Sequence, residues 1–472
     1  MKTKIMPLLA AAVLCGGCAA NKITSAPETK AYSFEDNVRK YWQGFADADK
    51  NINTVYGGMG TVDSEKAFQK YVEMHKKYAP HMFEDFKTVD RVLGWKEGTY
   101  LRWVFFGFDT KGWAQEKLFA PHECTSWAVL PDFAAYNQVL IHKNRDTGLQ
   151  NRKIVAVKHQ SEGKNGYIGI TGYGKLTPNM GMNSVGLVVV MNSGDPSGKE
   201  NKVGFSTPML ARILLENCSN ATEALEMLRK LVTEKAYSHG DKGSIWFIGD
   251  KDVVYCVEND SERFSVQKAV SGVVIRANAW RNPDMIPYSQ RNQTTLINHA
   301  RRENAVRQVL FEDGKKYNRP VTPEIMAAAS RVNVIKEDPK CYPVCGNRTV
   351  CGATFSIDRE FPADLSTMYA TFGPPRMSFV IPIPVTIDEF PAELLNCEFS
   401  RKTFAAAASG KKAITEDNRA VIEKVISADY RIARENAREM LRKSYSEKTR
   451  LKARKMLNDV FKKNCDKLAG YL

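Results

Sequence analysis

From Tyr100 to Val385 the chain alternates between short β-branched or aromatic runs and segments whose apolar positions recur three and four apart. LRWVFFGF, CTSWAVL, NQVLIHKN, IVAVKH and GYIGITGYG read as strands broken by turn residues, the texture of antiparallel sheet. VGLVVVMN (185–192) is apolar at consecutive positions, which predicts a strand buried on both faces. The following segment predicts two helices, one opening at Ser206 or Thr207 with Pro208, the other at Asn220 to Thr222. Strands return in SIWFIGD, VVYCVEND and GVVIRANAW, then helices over 289–310 and 322–329. TVCGATFSIDRE, LSTMYATFG and MSFVIPIPV close as a meander. Ahead of this region, Ser33 caps a predicted helix reaching about Ile52, with Glu35 and Asp36 at its N-terminal dipole. A second helix is predicted over 63–86, its Phe68, Tyr71, Val72 and Met74 forming a core stripe. The tail reads as helical from a Thr415 cap. This order of elements suits helices packed outside stacked antiparallel sheets, an α+β architecture, and no repeat or low-complexity linker interrupts 100–385.

The first twenty residues have a different texture. Lys2 and Lys4 precede an apolar run from Ile5 to Leu14 and a small-residue zone, Cys15 to Ala20, which together read as a signal peptide. Gly17-Cys18 resembles a lipoprotein signal, but Cys15 stands where that pattern has an aliphatic residue. Lipid anchoring through Cys18 and plain cleavage after Ala20 are therefore the two outcomes, and either implies export to a periplasm or outer surface. The expected organisation is then signal (1–20), N-terminal helical region (21–99), a central sheet-and-helix domain (100–400) and a basic helical extension (411–472).

Export changes how the ten cysteines read. With Cys15, Cys18 and Cys124 set aside, seven remain, so at least one is unpaired. Cys341, Cys345 and Cys351 form a tight group without a nearby histidine, which matches no common zinc spacing and predicts a local disulfide or reduced thiols. No metal or cofactor is expected. The net charge of +15 is concentrated in the tail, where 411–472 holds 17 Lys and Arg against 9 Asp and Glu. Both signs interleave there, as in RIARENAREMLRK, which predicts a solvated helix face, and no nucleic-acid motif is present.

The chemistry gathers on HECTSWAVLPDFAAYNQVLIHKNRD (122–146). A nucleophilic cysteine needs a base, and none of the seven histidines lies in a recognised Cys–His signature. An N-terminal cysteine needs no histidine, because its own α-amine, with a pKa of about 7.7–8.0, serves as base near neutral pH. Four elements then resemble the N-terminal-nucleophile (Ntn) hydrolases of the choloylglycine hydrolase and acyl-CoA:penicillin acyltransferase group. They are Cys124-Thr125-Ser126 with Asn144-Arg145-Asp146, Gly181-Met182-Asn183-Ser184-Val185-Gly186-Leu187 with Asn192, Ala277-Asn278, and the stretch from Cys345 to Pro375.

The resemblance implies a four-layer αββα sandwich and a precursor that cuts itself between Glu123 and Cys124. Cys124 is the implied nucleophile, Asp146 the holder of the freed amine, and Asn192 and Asn278 the oxyanion donors. Asn144, Asn183 and Arg348 are carried over as supporting or substrate-pocket residues. The bile-salt branch has arginine where this chain has Lys143, a substitution that changes the donor geometry and points to the acyltransferase-like branch. Taken alone, Lys143 is expected in solvent, Asp146 at a turn and the two asparagines at strand ends. The implied activity is hydrolysis of an N-acyl amide or peptide through a thioester, or acyl transfer. The rivals are an inert ligand-binding lipoprotein and a papain-like peptidase using His142, His159 or His239. The acyl group and the oligomeric state are not encoded in any recognisable motif.

Overall fold

The computed structural model describes residues 33–42, 62–105, 124–148, 152–201, 203–311, 320–408 and 416–471. The signal segment, Glu123, Thr415 and the continuation of the first helix past Trp42 lie outside them. Thirteen strands form two antiparallel sheets. The first has the order β10-β1-β2-β11-β12-β13 and the second runs β3 to β9 in sequence. In the first sheet, β1 (Thr125–Val129) lies between β10 (Val273–Arg276) and β2 (Gln138–Asp146), and β11 (Thr349–Asp358), β12 (Thr367–Thr371) and β13 (Ile381–Pro384) follow. The second comprises β3 (Ile154–His159), β4 (Tyr167–Gly172), β5 (Met180–Asn183), β6 (Val188–Asn201), β7 (Gly240–Gly249), β8 (Val254–Asn259) and β9 (Phe264–Ala269).

Alternation along these strands sets the layers. Val139, Ile141, Ala353 and Phe355 of one sheet meet Ile168, Met182, Val188 and Phe247 of the other in a shared core. The opposite face of the first sheet packs Trp127, Val129 and Leu140 against helices over 293–311 and 323–330. Val189, Trp246 and Ile248, on the far face of the second, pack against the helices of 207–217 and 221–233. These layers make the αββα sandwich that the element order predicts.

The helices, in chain order, begin with α1 (Phe34–Tyr41), α2 (Val62–Tyr78), α3 (Pro80–Leu93) and α4 (Thr99–Val104). They continue with α5 (Thr207–Asn217), α6 (Ala221–Thr233), α7 (Gln293–Phe311) and α8 (Pro323–Ser330). Short α9 (Pro362–Leu365) and α10 (Ala392–Leu395) precede α11 (Glu398–Ala408), α12 (Glu416–Lys443) and α13 (Glu447–Ala469). Ser33 caps α1 by accepting from the Asp36 N–H at 3.2 Å, and Asn220 caps α6 through the Glu223 N–H at 2.9 Å. Phe68, Tyr71, Met82 and Phe86 of α2 and α3 enter the same core as α5 and the second sheet.

Three expectations are corrected. The run from Tyr100 is helical (α4) up to Val104 rather than a strand. Its cap is remote: both oxygens of Asp90 on α3 accept backbone N–H groups, Gly98 at 2.7 Å and Tyr100 at 2.8 Å. The helix predicted over 63–86 is two helices, because Pro80 opens α3 and cannot continue α2. The basic tail is a solvated face only in part: Lys424, Arg431, Lys452 and Lys455 are exposed, but other basic residues turn inward. Arg434 and Arg438 of α12 are buried on Asp358, and Arg450 and Arg454 of α13 reach Asp364 and Asp388 at 2.9 and 2.7 Å. Its charge matches acids at the edge of the sandwich, which no local pattern reveals. All eight described cysteines are free thiols, so Cys341, Cys345 and Cys351 take the reduced of their two predicted states.

Candidate active site

Directly opposed residues of antiparallel strands share a face, and that rule assembles the site. Ser126, Lys143 and Ala353 lie in register across β1, β2 and β11. Arg145 and Cys351 make the next pair on the same face. Continuing the β1–β2 register by one residue sets Cys124 across from Arg145, and continuing the β1–β10 register by two sets it across from Asn278. Cys124 thus heads the strand between β10 and β2, on the face turned to the second sheet, and is buried. Its Sγ lies 4.0 Å from the Asp146 carbonyl oxygen.

Asn192 closes the group from the second sheet, because β6 turns Val188, Val190 and then Asn192 toward the first. Its Oδ1 accepts the Ser126 hydroxyl at 2.8 Å and the Lys143 ammonium at 3.1 Å. Its Nδ2 donates to the carbonyls of Arg276 and Ala277 at 3.3 and 3.0 Å. Asn278 crosses in the other direction: its Nδ2 donates to the Ser193 carbonyl at 2.8 Å, and its Oδ1 accepts from Arg302 of α7 at 3.1 Å. The Asn192 and Asn278 amides therefore tie the sheets together beside Cys124.

Lys143 overturns the solvated expectation, being 2% exposed. Besides Asn192 it donates to the Met191 carbonyl. Burial pushes its ammonium below the ordinary lysine range; the Cys124 thiol, a close charge and hydrogen-bonding neighbour, opposes this and Arg145 reinforces it. Burial also pushes the Cys351 thiol up to about 11, with Arg145 and Lys143 pulling the other way. Cys351 and Cys124 flank the same residue of β2, two strand spacings (about 9–10 Å) apart, too far for a disulfide.

Not every expected residue joins this group. Asn144 faces the other side of the sheet, where its Nδ2 donates to the Ser330 and Val344 carbonyls at 2.8 and 3.0 Å. Asn183 closes the β5–β6 turn: its Oδ1 accepts the Val185 and Leu187 N–H groups, and its Nδ2 donates to the carbonyls of Leu215 on α5 and Cys218 at its C-terminal cap. Arg348 is half-buried at the sheet end, where its carbonyl accepts the Thr147 N–H at 3.1 Å, next to Asp146. Glu123 lies outside the described residues.

The histidines of the papain-like rival are engaged elsewhere. His142 lies on the outer face, stacked on Trp127 at 4.1 Å and bonded to Thr354 and Asn144, and burial pushes it down to about 3. His159 meets Asp85 at 2.9 Å and His239 meets Ser193 at 3.1 Å. Asp85, His159 and Glu216 bring ligand-type atoms within 4.8 Å of one another. The Arg212 guanidinium already occupies that cluster as its cation, donating to Asp85 and, at 3.0 Å, to Glu216.

Sequence reasoning missed Ser126 and Arg145 as site members, although both stand in the quoted motifs and strand alternation puts them on Lys143's face. It also missed Arg302, which is fully buried beneath Asn278 and donates to His299 Nδ1 at 2.7 Å. Only the i, i+3 spacing of those two residues on α7 offered a signal.

The acyl-coenzyme A:6-aminopenicillanic acid acyl-transferase family model matches residues 134–314, a span holding Lys143, Asp146, Asn192 and Asn278 and beginning downstream of Cys124. The match agrees with the resemblance drawn from the motifs and supports amide-hydrolase or acyltransferase chemistry in general. No curated protein matches the chain. Among solved structures, the Caenorhabditis elegans ortholog of N-acylethanolamine-hydrolyzing acid amidase is 16% identical, covers 55% of this chain and 100% of its own, and has a TM-score of 0.35. Two forms of conjugated bile acid hydrolase from Clostridium perfringens are 12% and 13% identical, with TM-scores of 0.36 and 0.33. They cover 55% and 57% of this chain and 92% and 97% of their own.

Proposed function

We propose that the chain is a self-processing cysteine hydrolase that cleaves the carbon–nitrogen bond of an N-acyl amide or peptide. The precursor cuts itself before Cys124. The freed α-amine then takes the thiol proton, and Asp146 holds that amine. The thiolate attacks the amide carbonyl, the amine protonates the leaving nitrogen, and water releases the acyl group from the thioester. In the uncut chain the Asn192 amide donates to the Arg276 and Ala277 carbonyls, whereas among the described residues only one Asn278 N–H is taken, by the Ser193 carbonyl. Asn278, polarised from behind by Arg302, is therefore the stronger oxyanion donor, a role worth about 3–4 kcal/mol in other hydrolases.

One observation carries the reading. Cys124 heads a central strand on the inter-sheet face, with Lys143 diagonal to it on that face, Asn278 across from it, Asn192 bridging the sheets through Ser126 and Lys143, and no described histidine arranged as its base. The description of the matched family favours a second outcome from the same thioester, in which an acceptor amine replaces water. Export, with or without a lipid on Cys18, rests on the pattern of residues 1–20 alone. The test is a panel of N-acyl amino acids and peptides assayed for released amine, with hydroxylamine trapping of the thioester. The proposal expects release by wild type, an acyl group on Cys124 and silence from Cys124→Ala. Binding without release, and a Cys124 that never becomes acylated, would support the inert binding protein instead.

A further inference from the structure

The α-amine is the base of the mature enzyme but does not exist in the uncut chain, where the same nitrogen is an amide. The first cut therefore needs another proton acceptor. We propose that Lys143 is that acceptor, taking the Cys124 thiol proton in the precursor and returning it to the departing nitrogen. The inference rests on the reading that the chain cuts itself at Cys124.

Hydrogen-bond valence at Lys143 carries the assignment. A neutral lysine amine has two N–H groups and one lone pair, and an ammonium has three N–H groups. Among the described residues Lys143 Nζ has two protein acceptors, the Met191 carbonyl and Asn192 Oδ1 at 3.1 Å. These use both hydrogens of the neutral amine and leave its lone pair for the Cys124 thiol, its diagonal neighbour on the same face of the β1–β2 pair. The Cys124 S–H, set 4.0 Å from the Asp146 carbonyl, needs only to rotate toward Lys143, and once the proton moves the third N–H serves the thiolate. Arginine at this position would carry charge but no usable lone pair. The titratable groups acting on Lys143 are Cys124, Arg145 and Cys351. Burial and Arg145 disfavour the ammonium before the thiolate forms, and the thiolate favours it afterwards.

The step balances. Lys143 takes the Sγ proton, and Sγ bonds to the Glu123 carbonyl carbon. The tetrahedral centre collapses with loss of the carbon–nitrogen bond, and the Lys143 ammonium protonates the nitrogen, which becomes the Cys124 α-amine. Water then hydrolyses the thioester, leaving a carboxylate on Glu123 and the thiol on Cys124.

The experiment follows the cut by intact mass during synthesis of the full chain, for wild type, Lys143→Arg and Lys143→Met, across pH. Wild-type cutting should accelerate with pH through one ionisation below the ordinary lysine range. Both variants should cut about 100-fold more slowly or worse. Circular dichroism of the uncut variants checks that they fold, and Lys143→Met, without a charge to bury, keeps the test valid should the arginine disrupt packing. Cutting by either variant within about threefold of wild type would overturn the assignment. A wild-type chain that never cuts would overturn the self-processing reading itself, a distinguishable result.

Discussion

Removing the Asp358 carboxylate should destabilise the protein far more than an average surface substitution. Asp358 ends β11 and is 1% exposed. Its Oδ2 accepts Arg434 at 2.8 Å and Arg438 at 2.7 Å, and its Oδ1 accepts the backbone N–H groups of Glu360 and Phe361 at 3.1 and 2.9 Å. Burial pushes this carboxyl up, but the two guanidiniums outweigh burial and hold it below its usual range. Asp358→Ala leaves two buried cations short of an anion, a defect costing about 3–5 kcal/mol. That is a large share of the roughly 5–15 kcal/mol available to a folded domain. At about 1 °C per kcal/mol for a chain of 472 residues, the melting point should fall by about 3–5 °C. The assay is thermal and denaturant unfolding of wild type, Asp358→Ala and the triple variant Asp358→Leu, Arg434→Met, Arg438→Met. The triple variant should recover most of the loss, because replacing a whole buried ionic group with apolar side chains is often neutral. A cost for Asp358→Ala below about 1 kcal/mol, the value of exposed pairs, would refute the claim that these arginines work as buried partners.

Other expectations are equally concrete. The two products of the cut should co-elute in gel filtration, since Phe68, Tyr71, Met82 and Phe86 are built into the core of the second sheet; separation without denaturant would contradict that. Asn183→Ala should lower stability by about 2–4 kcal/mol, because it strips partners from two backbone N–H groups and two carbonyls, yet spare the rate of the cut. Burial pushes His75 and His142 down to about 3 and His299 to about 2, so the unfolded chain binds protons that the folded one refuses. Their contribution is intact above the unfolded value of about 6.5 and is lost as pH falls toward 3. Asp90, pushed up to about 6 by burial, acts in the opposite sense but is outnumbered. A denaturant midpoint unchanged from neutral pH to about pH 4 would speak against these buried neutral rings.

The sandwich was legible because its strands alternate and its helix caps are local, as at Ser33 and Asn220. Failures came where a distant partner decided the outcome. The run at Tyr100 has strand composition, yet Asp90 supplies a helix cap from the preceding helix. Lys143 reads as a surface lysine until Met191 and Asn192, nearly fifty residues downstream, are folded over it. Arg434 and Arg438 read as a solvated stripe because Asp358 belongs to another element. Pro80 was a visible signal that the apolar periodicity of 63–86 overrode. At the site, the order Cys124, Asn192, Asn278 named residues of one region, which Asp146 enters through its carbonyl while its side chain alternates to the face of Asn144. It did not separate Asn183 and Asn144, which share those motifs but turn their amides to backbone elsewhere.

The most direct test of the account is the intact mass of the purified protein beside Cys124→Ala. Wild type should contain a chain whose first residue is Cys124 with a free α-amine, and the variant should remain a single uncut chain. A wild-type protein continuous through Glu123-Cys124 that still hydrolyses amides would contradict the central claim, because the base assigned to the mature enzyme would not exist.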